Sequence, residues 1–161
     1  MSIIFQSFLQ ILISIAVWVI TAMSLLSLPS ILTGGGFLIP DMPFSESAKW
    51  GLGVGLVHGF LMALIIYWYK KDSIVGITMS SIFVTEVLIA AMLVVFFVTE
   101  IANQPASLEK PTPSAQNYIY MVAVYILVRI VPWYVILSLL FLIPSFVIGI
   151  ATKLFVISPK T

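Results

Sequence analysis

The sequence predicts an all-α integral membrane protein whose four transmembrane helices pack as a bundle. Hydrophobic residues make up 61% of the chain and charged residues only 8%, whereas an ordinary soluble domain is about 25% charged. Four apolar segments also reach the roughly 20 residues that a helix needs to cross a bilayer. Because the chain has only 161 residues, we expect a single transmembrane domain over residues 1–161.

The ends of the first spans are marked in the sequence. The first apolar run stops at Pro29, and it lacks the basic start and the small-residue cleavage site of a secretory signal, so we interpret it as a retained span. The second stops at the Lys70-Lys71 pair, directly after three aromatic residues that fit an interfacial belt. The predicted spans, with approximate ends, are residues 3–28, 48–69, 74–99 and 118–142.

The fourth apolar segment is unusually long. It persists from Tyr118 to Ile157 and is interrupted by Pro132 and Pro144. A straight helix of that length would measure about 60 Å, twice the hydrocarbon thickness of a bilayer. Proline in a helix interior removes a hydrogen bond and kinks the axis. We therefore predict one Pro-kinked spanning helix to about Leu142 with a helical extension near the inner surface, because no turn sequence separates two spans.

The basic residues predict the orientation. An even number of spans places both termini on one side of the membrane. The lysines then divide four to two, with Lys70, Lys71, Lys153 and Lys160 on the side of the termini and Lys49 and Lys110 on the other. Since short cytoplasmic loops carry the excess of Lys and Arg, we predict cytoplasmic termini. The expected location is a bacterial-type inner (plasma) membrane or an equivalent energy-transducing membrane.

The first outer loop, residues 29–47, is rich in Gly and Pro and yet apolar. Gly34, Gly35 and Gly36 disfavour a helix there. Either the loop rests on the outer surface of the bundle, or it is a re-entrant or partner-docking segment, since non-helical backbone is tolerated at depth only inside protein or a cavity. It is not a phosphate-binding loop, because the Lys and Ser/Thr of that motif are missing.

Three ionisable residues, His58, Glu86 and Arg129, lie near the centres of three different apolar segments. A charge in the bilayer core costs roughly 2.5 to 3.5 kcal/mol on insertion scales, so such residues are usually turned inward and paired. Arg is always charged and needs an acceptor. We therefore predict a buried polar cluster in which Glu86 pairs with Arg129 and His58 lies nearby.

Other polar and small side chains complete the predicted interior. The residues expected to support the cluster are Gln10, Ser14, Thr85 and Tyr125. Gly51, Gly55 and Gly59 recur every four residues, and such small-residue steps let helix backbones approach closely. They fit helix packing within the bundle or, as the second interpretation, a homodimer interface.

The composition excludes several kinds of chemistry. The chain has no Cys, which excludes disulfides, thiolate metal sites and Cys nucleophiles, and its single His cannot build a multi-His metal site. The formal charge of +1 gives no broad positive field for a nucleic-acid partner. With no nucleophile–base pair visible, we predict no catalytic residues, no metal and no cofactor, and we do not expect an enzyme.

Two classes of function remain. The first is a non-catalytic accessory, assembly or interaction subunit of a membrane complex, with the lipid bilayer and other membrane subunits or a second copy as partners. In this class a buried Glu–Arg pair serves only to fix which helices pack together. The alternative is a small oligomeric proton-coupled transporter or channel that uses Glu86, His58 and Arg129. A pathway requires Glu86 to change protonation, whereas a structural pair needs it permanently ionised.

Overall fold

The computed structural model describes residues 2–27, 43–69, 73–102, 120, 123–124 and 126–157, and these are helical apart from short ends, with no strand among them. Helix α1 covers Ile3–Ala22, α2 covers Phe44–Tyr69, α3 covers Ile74–Ala102 and α4 covers Val131–Ala151. Single π-helical turns extend α1 over Met23–Ser27 and flank α4 at Ile126–Ile130 and Thr152–Val156.

Four of these stretches are long and apolar enough to cross a membrane. They are Ile3–Leu25, Ser45–Tyr69, Ile74–Val95 and Ile126–Val156, with 23, 25, 22 and 31 residues. The prediction of a helical protein with four segments that can span a membrane is therefore confirmed by the length and composition of these helices.

Two serine hydroxyl groups and one main-chain carbonyl explain where the helices begin. The Ser2 hydroxyl accepts a hydrogen bond from the Phe5 amide at 3.3 Å, and the Ser73 hydroxyl accepts one from the Gly76 amide at 3.0 Å. Each hydroxyl satisfies an amide that has no partner inside its own helix. The carbonyl of Pro43 accepts from the Ser47 amide at 3.1 Å, so α2 starts four residues earlier than the sequence indicated. Residues 29–42 of the predicted outer loop, and residue 28 before it, lie outside the described residues.

The fourth span is one continuous helix over Ile126–Val156, about 46 Å at 1.5 Å per residue. Its described part contains no turn that would separate two crossings. Pro132 cannot donate to the carbonyl of Val128, and the π-helical turn directly precedes this break in the hydrogen-bond pattern. Pro144 lies inside α4. A bend at either proline and an extension beyond the span stay predictions.

The chain divides into two compact units: Met1–Thr85 together with Leu142–Thr161, and Glu86–Phe141. In the first unit α1 and α2 run antiparallel at very short distance. Cβ atoms built on the α2 glycines would lie 2.6 to 2.7 Å from α1 backbone atoms, with Gly51 facing Val19, Gly55 facing Ile15 and Gly59 facing Ile11. A Cβ built on Gly149 of α4 would lie equally close to α3, at 2.7 Å from the Cα of Thr78.

The described interior is more polar than the described surface. Ten polar and seven hydrophobic residues are buried, whereas large apolar side chains such as Ile4, Trp68 and Ile143 are at least 72% exposed. A soluble protein rarely leaves such extended apolar surface in water. This distribution fits a chain whose outer surface faces lipid and whose interior holds its polar groups.

Candidate functional site

A stripe of polar residues on α1 faces the interior of the first unit. Gln6, Gln10 and Ser14 are four residues apart, so they lie on one face of the helix. Gln10 and Ser14 are fully buried, and Gln6 is half-buried. The close approach of α2 at Gly55 and Gly59 brings this stripe within reach of the next helix.

His58 of α2 is fully buried beside that stripe. Its Nδ1 lies 3.3 Å from the Ser14 hydroxyl of α1, and its Nε2 lies 3.3 Å from the main-chain carbonyl of Ser81 on α3. The Ser81 hydroxyl is 3.4 Å from the same Nε2. The ring of Trp18 lies across the imidazole, with the centroids 5.9 Å apart and the planes tilted by 56°.

The partners of His58 assign its tautomer. A carbonyl oxygen can only accept, so Nε2 carries the proton and donates to Ser81. The unprotonated Nδ1 then accepts from the Ser14 hydroxyl. A neutral imidazole therefore satisfies both contacts and joins three helices.

On the α1 side the hydrogen bonds continue to α4. The Gln10 amide nitrogen donates to the Ser14 hydroxyl at 3.3 Å, and the Gln10 amide oxygen accepts from the Thr152 hydroxyl at 2.7 Å. The Gln6 amide nitrogen donates to the carbonyl of Val156 at 3.2 Å. The start of α1 is thus held against the end of the fourth span.

On the α3 side the hydrogen bonds return to α4. The Thr85 hydroxyl donates to the Ser81 carbonyl at 3.0 Å, and it accepts from the Ser145 hydroxyl of α4 at 2.7 Å. Ser145 and Thr152 are seven residues apart, two turns along one helix face. The hydrogen bonds therefore form a chain that starts and ends on the fourth span and passes through all four helices. We name its residues the polar ring: Gln10, Ser14, His58, Ser81, Thr85, Ser145 and Thr152.

Glu86 belongs to the second unit, where it contacts hydroxyl groups of α4. Its Oε2 accepts from the Ser138 hydroxyl at 2.7 Å, and the Tyr134 hydroxyl is hydrogen-bonded to Glu86 and Ser138. All three side chains are half-buried. An ion pair lies elsewhere, between Lys49 and Glu46 on the exposed start of α2.

The backbone of Arg129 is separated along the fourth span from both described partners of Glu86. Arg129 is five residues from Tyr134 and nine from Ser138, which corresponds to about 7 Å and about 13 Å along the helix axis. The side chain of Arg129 and the whole of Tyr125 lie outside the described part of the chain. The predicted contact between Glu86 and Arg129 therefore stays a prediction.

The structure brings together Gln10, Ser14, His58 and Thr85 of the predicted residues. The predicted cluster did not include the hydroxyl residues that complete these contacts: Ser81, Ser145 and Thr152 in the ring, and Tyr134 and Ser138 beside Glu86. One signal was available, because each of the pairs Ser81/Thr85 and Tyr134/Ser138 is spaced by four residues inside an apolar helix.

These features define the class of the molecule: a helical multi-pass membrane protein with an internal network of polar side chains. Comparisons with models of protein families, with curated proteins and with solved structures find no match for this chain.

Proposed function

We propose that this protein is a non-catalytic accessory, assembly or interaction subunit of a membrane complex. The observation that carries the proposal is the polar ring, which joins all four helices through neutral side chains. Such an interior suits a rigid scaffold that presents an apolar outer surface to lipid and to other membrane subunits.

The energetics of the ring support this role. Its links between helices are Thr152 with Gln10, Ser14 with His58, His58 with Ser81, and Ser145 with Thr85. Interhelical hydrogen bonds in membranes contribute about 0.6 to 2 kcal/mol each, so four of them contribute a few kcal/mol. A shift of one helix by a turn would break several of them together. The ring therefore favours one register over its alternatives.

The ring is poorly suited to carrying protons. A hydroxyl can receive one proton while it releases another, but the Gln10 amide between Thr152 and Ser14 exchanges protons in this way only through a high-energy form. Both ring nitrogens of His58 already form hydrogen bonds with protein groups, Nδ1 with Ser14 and Nε2 with Ser81. These contacts support a structural role for His58.

The alternative is a small oligomeric proton-coupled transporter or channel that uses Glu86, His58 and Arg129. One observation favours it: Glu86 is a carboxyl group inside a span, and its described partners are hydroxyl groups. Intramembrane carboxyl groups commonly mark proton or ion pathways.

The remaining details of the proposal concern the membrane. In it the four helices form one bundle with cytoplasmic termini, the fourth helix bends at Pro132 or Pro144, and its last turns approach the inner surface. The membrane is an inner (plasma) or energy-transducing membrane. The short inner connection at Lys70-Lys71 supports this orientation.

The two functions are separated by isolating the full chain from its native membrane in a mild detergent. For an accessory subunit we expect a stoichiometric membrane partner in native mass spectrometry, and no proton flux when the protein is reconstituted in liposomes containing a pH-sensitive dye. A homogeneous oligomer of this chain alone, with proton flux that Glu86→Gln abolishes and Glu46→Gln leaves intact, would instead establish the transporter.

A further inference from the structure

Glu86 occupies the middle of a membrane span and takes no part in the polar ring. It lies twelve residues after the start and nine residues before the end of the span Ile74–Val95. These offsets place it about 18 Å and about 13 Å from the two ends of the span. An isolated carboxylate at that depth is costly, so a positive charge must accompany it or a proton must neutralise it.

Oxygen atoms from two helices converge at this position. The carboxyl group of Glu86 comes from α3, while the hydroxyl groups of Tyr134 and Ser138 come from successive turns of one face of α4. A hydroxyl group donates one hydrogen and keeps two lone pairs, so each can bind the carboxylate and still offer oxygen to a cation. Oxygen ligands of this kind are what small, hard cations prefer.

The two basic residues of this unit are Lys110 and Arg129, and the side chains of both lie outside the described part of the chain. The backbone of Arg129 is offset along the fourth span by about 7 Å from Tyr134 and about 13 Å from Ser138, toward the C-terminal end of α3, because these helices are antiparallel. The Cα–Cβ bond of Glu86 leans the opposite way, toward the N-terminus of α3. A second copy in the same orientation keeps each residue at its height and does not remove this offset.

We propose that Glu86, Ser138 and Tyr134 form a binding site for a small monovalent cation, H⁺ or Na⁺. One carboxylate balances one positive charge, which selects a monovalent ion. With H⁺ bound, Glu86 is a neutral acid among hydroxyl groups. With Na⁺ bound, the lone pairs of the three groups face the ion. The site goes beyond the accessory role and does not depend on it.

The test is labelling of the full chain with dicyclohexylcarbodiimide, an apolar reagent that modifies protonated carboxyl groups from the lipid phase. We expect modification of Glu86, located by peptide mass spectrometry, that declines as the pH rises. Protection by NaCl but not by choline chloride identifies Na⁺, and the lack of such protection identifies H⁺ alone. If Glu86 stays unmodified in the folded protein at acidic pH, yet reacts once SDS unfolds the chain, a fixed cation holds it and the proposal is wrong.

Single substitutions test the two hydroxyl groups. Ser138→Ala and Tyr134→Phe should each shift the pH dependence of labelling, because each removes an oxygen that contacts the carboxyl group. Thr99→Ala is the matched control on α3, since the Thr99 hydroxyl donates to the carbonyl of Val95 in its own helix. An unchanged profile in both hydroxyl variants would remove them from the site and overturn the assignment.

A double-mutant cycle on Glu86 and Arg129 tests the rival fixed pair. We expect Glu86→Gln and Arg129→Gln to have additive effects on thermal stability in detergent, as residues without direct contact do. Strong coupling would establish the pair and refute the cation site. In that case Glu86→Gln should be the more harmful single change, because a stranded Arg129 cannot lose its charge.

Discussion

At the scale of single residues, His58 holds the polar ring together. Its two ring nitrogens contact α1 and α3, while its own helix is α2, so one side chain joins three spans. The neutral imidazole offers one donor, which the Ser81 carbonyl accepts, and one acceptor, to which the Ser14 hydroxyl donates. A buried residue with this many partners is more sensitive to substitution than its apolar neighbours on the outer face of the same helix.

Replacing His58 tests its structural role. His58→Ala removes two hydrogen bonds and leaves a cavity, and we expect a loss of about 2 to 4 kcal/mol in the free energy of unfolding. His58→Gln keeps a donor and an acceptor and should be milder. The measurement is reversible unfolding of the purified protein by SDS in mixed micelles.

The matched control for His58 is Phe60→Ala on the same helix. Phe60 is 54% exposed, so its removal should change stability by only about 0.5 kcal/mol. A loss in His58→Ala no larger than that of this control would show that the ring does not stabilise the fold.

The sequence identified the unusual residues of the interior but not the common ones. His58 and Gln10 attract notice because they are rare in apolar helices. Ser and Thr do not, since their hydroxyl groups often bond the carbonyl four residues earlier, as Thr21 does with Val17 at 2.8 Å. The Ser145 hydroxyl donates to Thr85 on another helix. Whether a hydroxyl group in a span bonds to another helix depends on the helix that packs opposite, and one sequence does not contain that information.

At the scale of elements, glycine positions decide which helices approach closely. The four-residue spacing predicted a packing face on α2, and the structure places that face against α1. Length and hydropathy likewise predicted the four spans. The boundaries of the fourth were harder to predict, because its apolar character continues past Leu142 without a polar break. The observed span runs to Val156. Its last turns include Ser145 and Thr152, whose hydroxyl groups bond to other helices.

Substitution of two neighbouring glycines tests this packing. A Cβ at Gly55 would lie 2.6 Å from the Cα of Ile15, so Gly55→Ala must push α1 and α2 apart and weaken the Ser14–His58 contact. Gly53 has no atom within 4 Å of the corresponding position. Gly53→Ala should therefore be neutral or stabilising by up to about 1 kcal/mol, the helix preference of Ala over Gly.

The comparison of the two glycine variants is made by unfolding in mixed micelles under identical conditions. We expect Gly55→Ala to be the less stable by at least about 1 kcal/mol, within the range for overpacking. Equal stability of the two variants would contradict the close approach of α1 and α2.

At the scale of the whole molecule, the described helices reverse the arrangement of a soluble protein, with polar groups inside and apolar groups outside. Within the first unit, Gln6 near the start of α1 contacts Val156 at the end of the last helix. The start of α1 and the end of the last helix therefore lie on the same side of that unit. Helix ends on the same side agree with an even number of crossings. Which side is cytoplasmic is predicted from the distribution of Lys and Arg.

Cysteine labelling determines that orientation, and the natural absence of Cys makes each single-cysteine variant specific. With cytoplasmic termini, Ser107→Cys should react with an impermeant thiol reagent added outside intact cells, because the sequence predicts that Ser107 lies in the outer connection between the third and fourth spans. Ser73→Cys, next to the start of α3, should react only after the membrane is permeabilised. The reverse labelling pattern would show that the protein has the opposite orientation in the membrane. Reaction of both positions from outside would mean that α3 does not cross, since these positions flank a single predicted span.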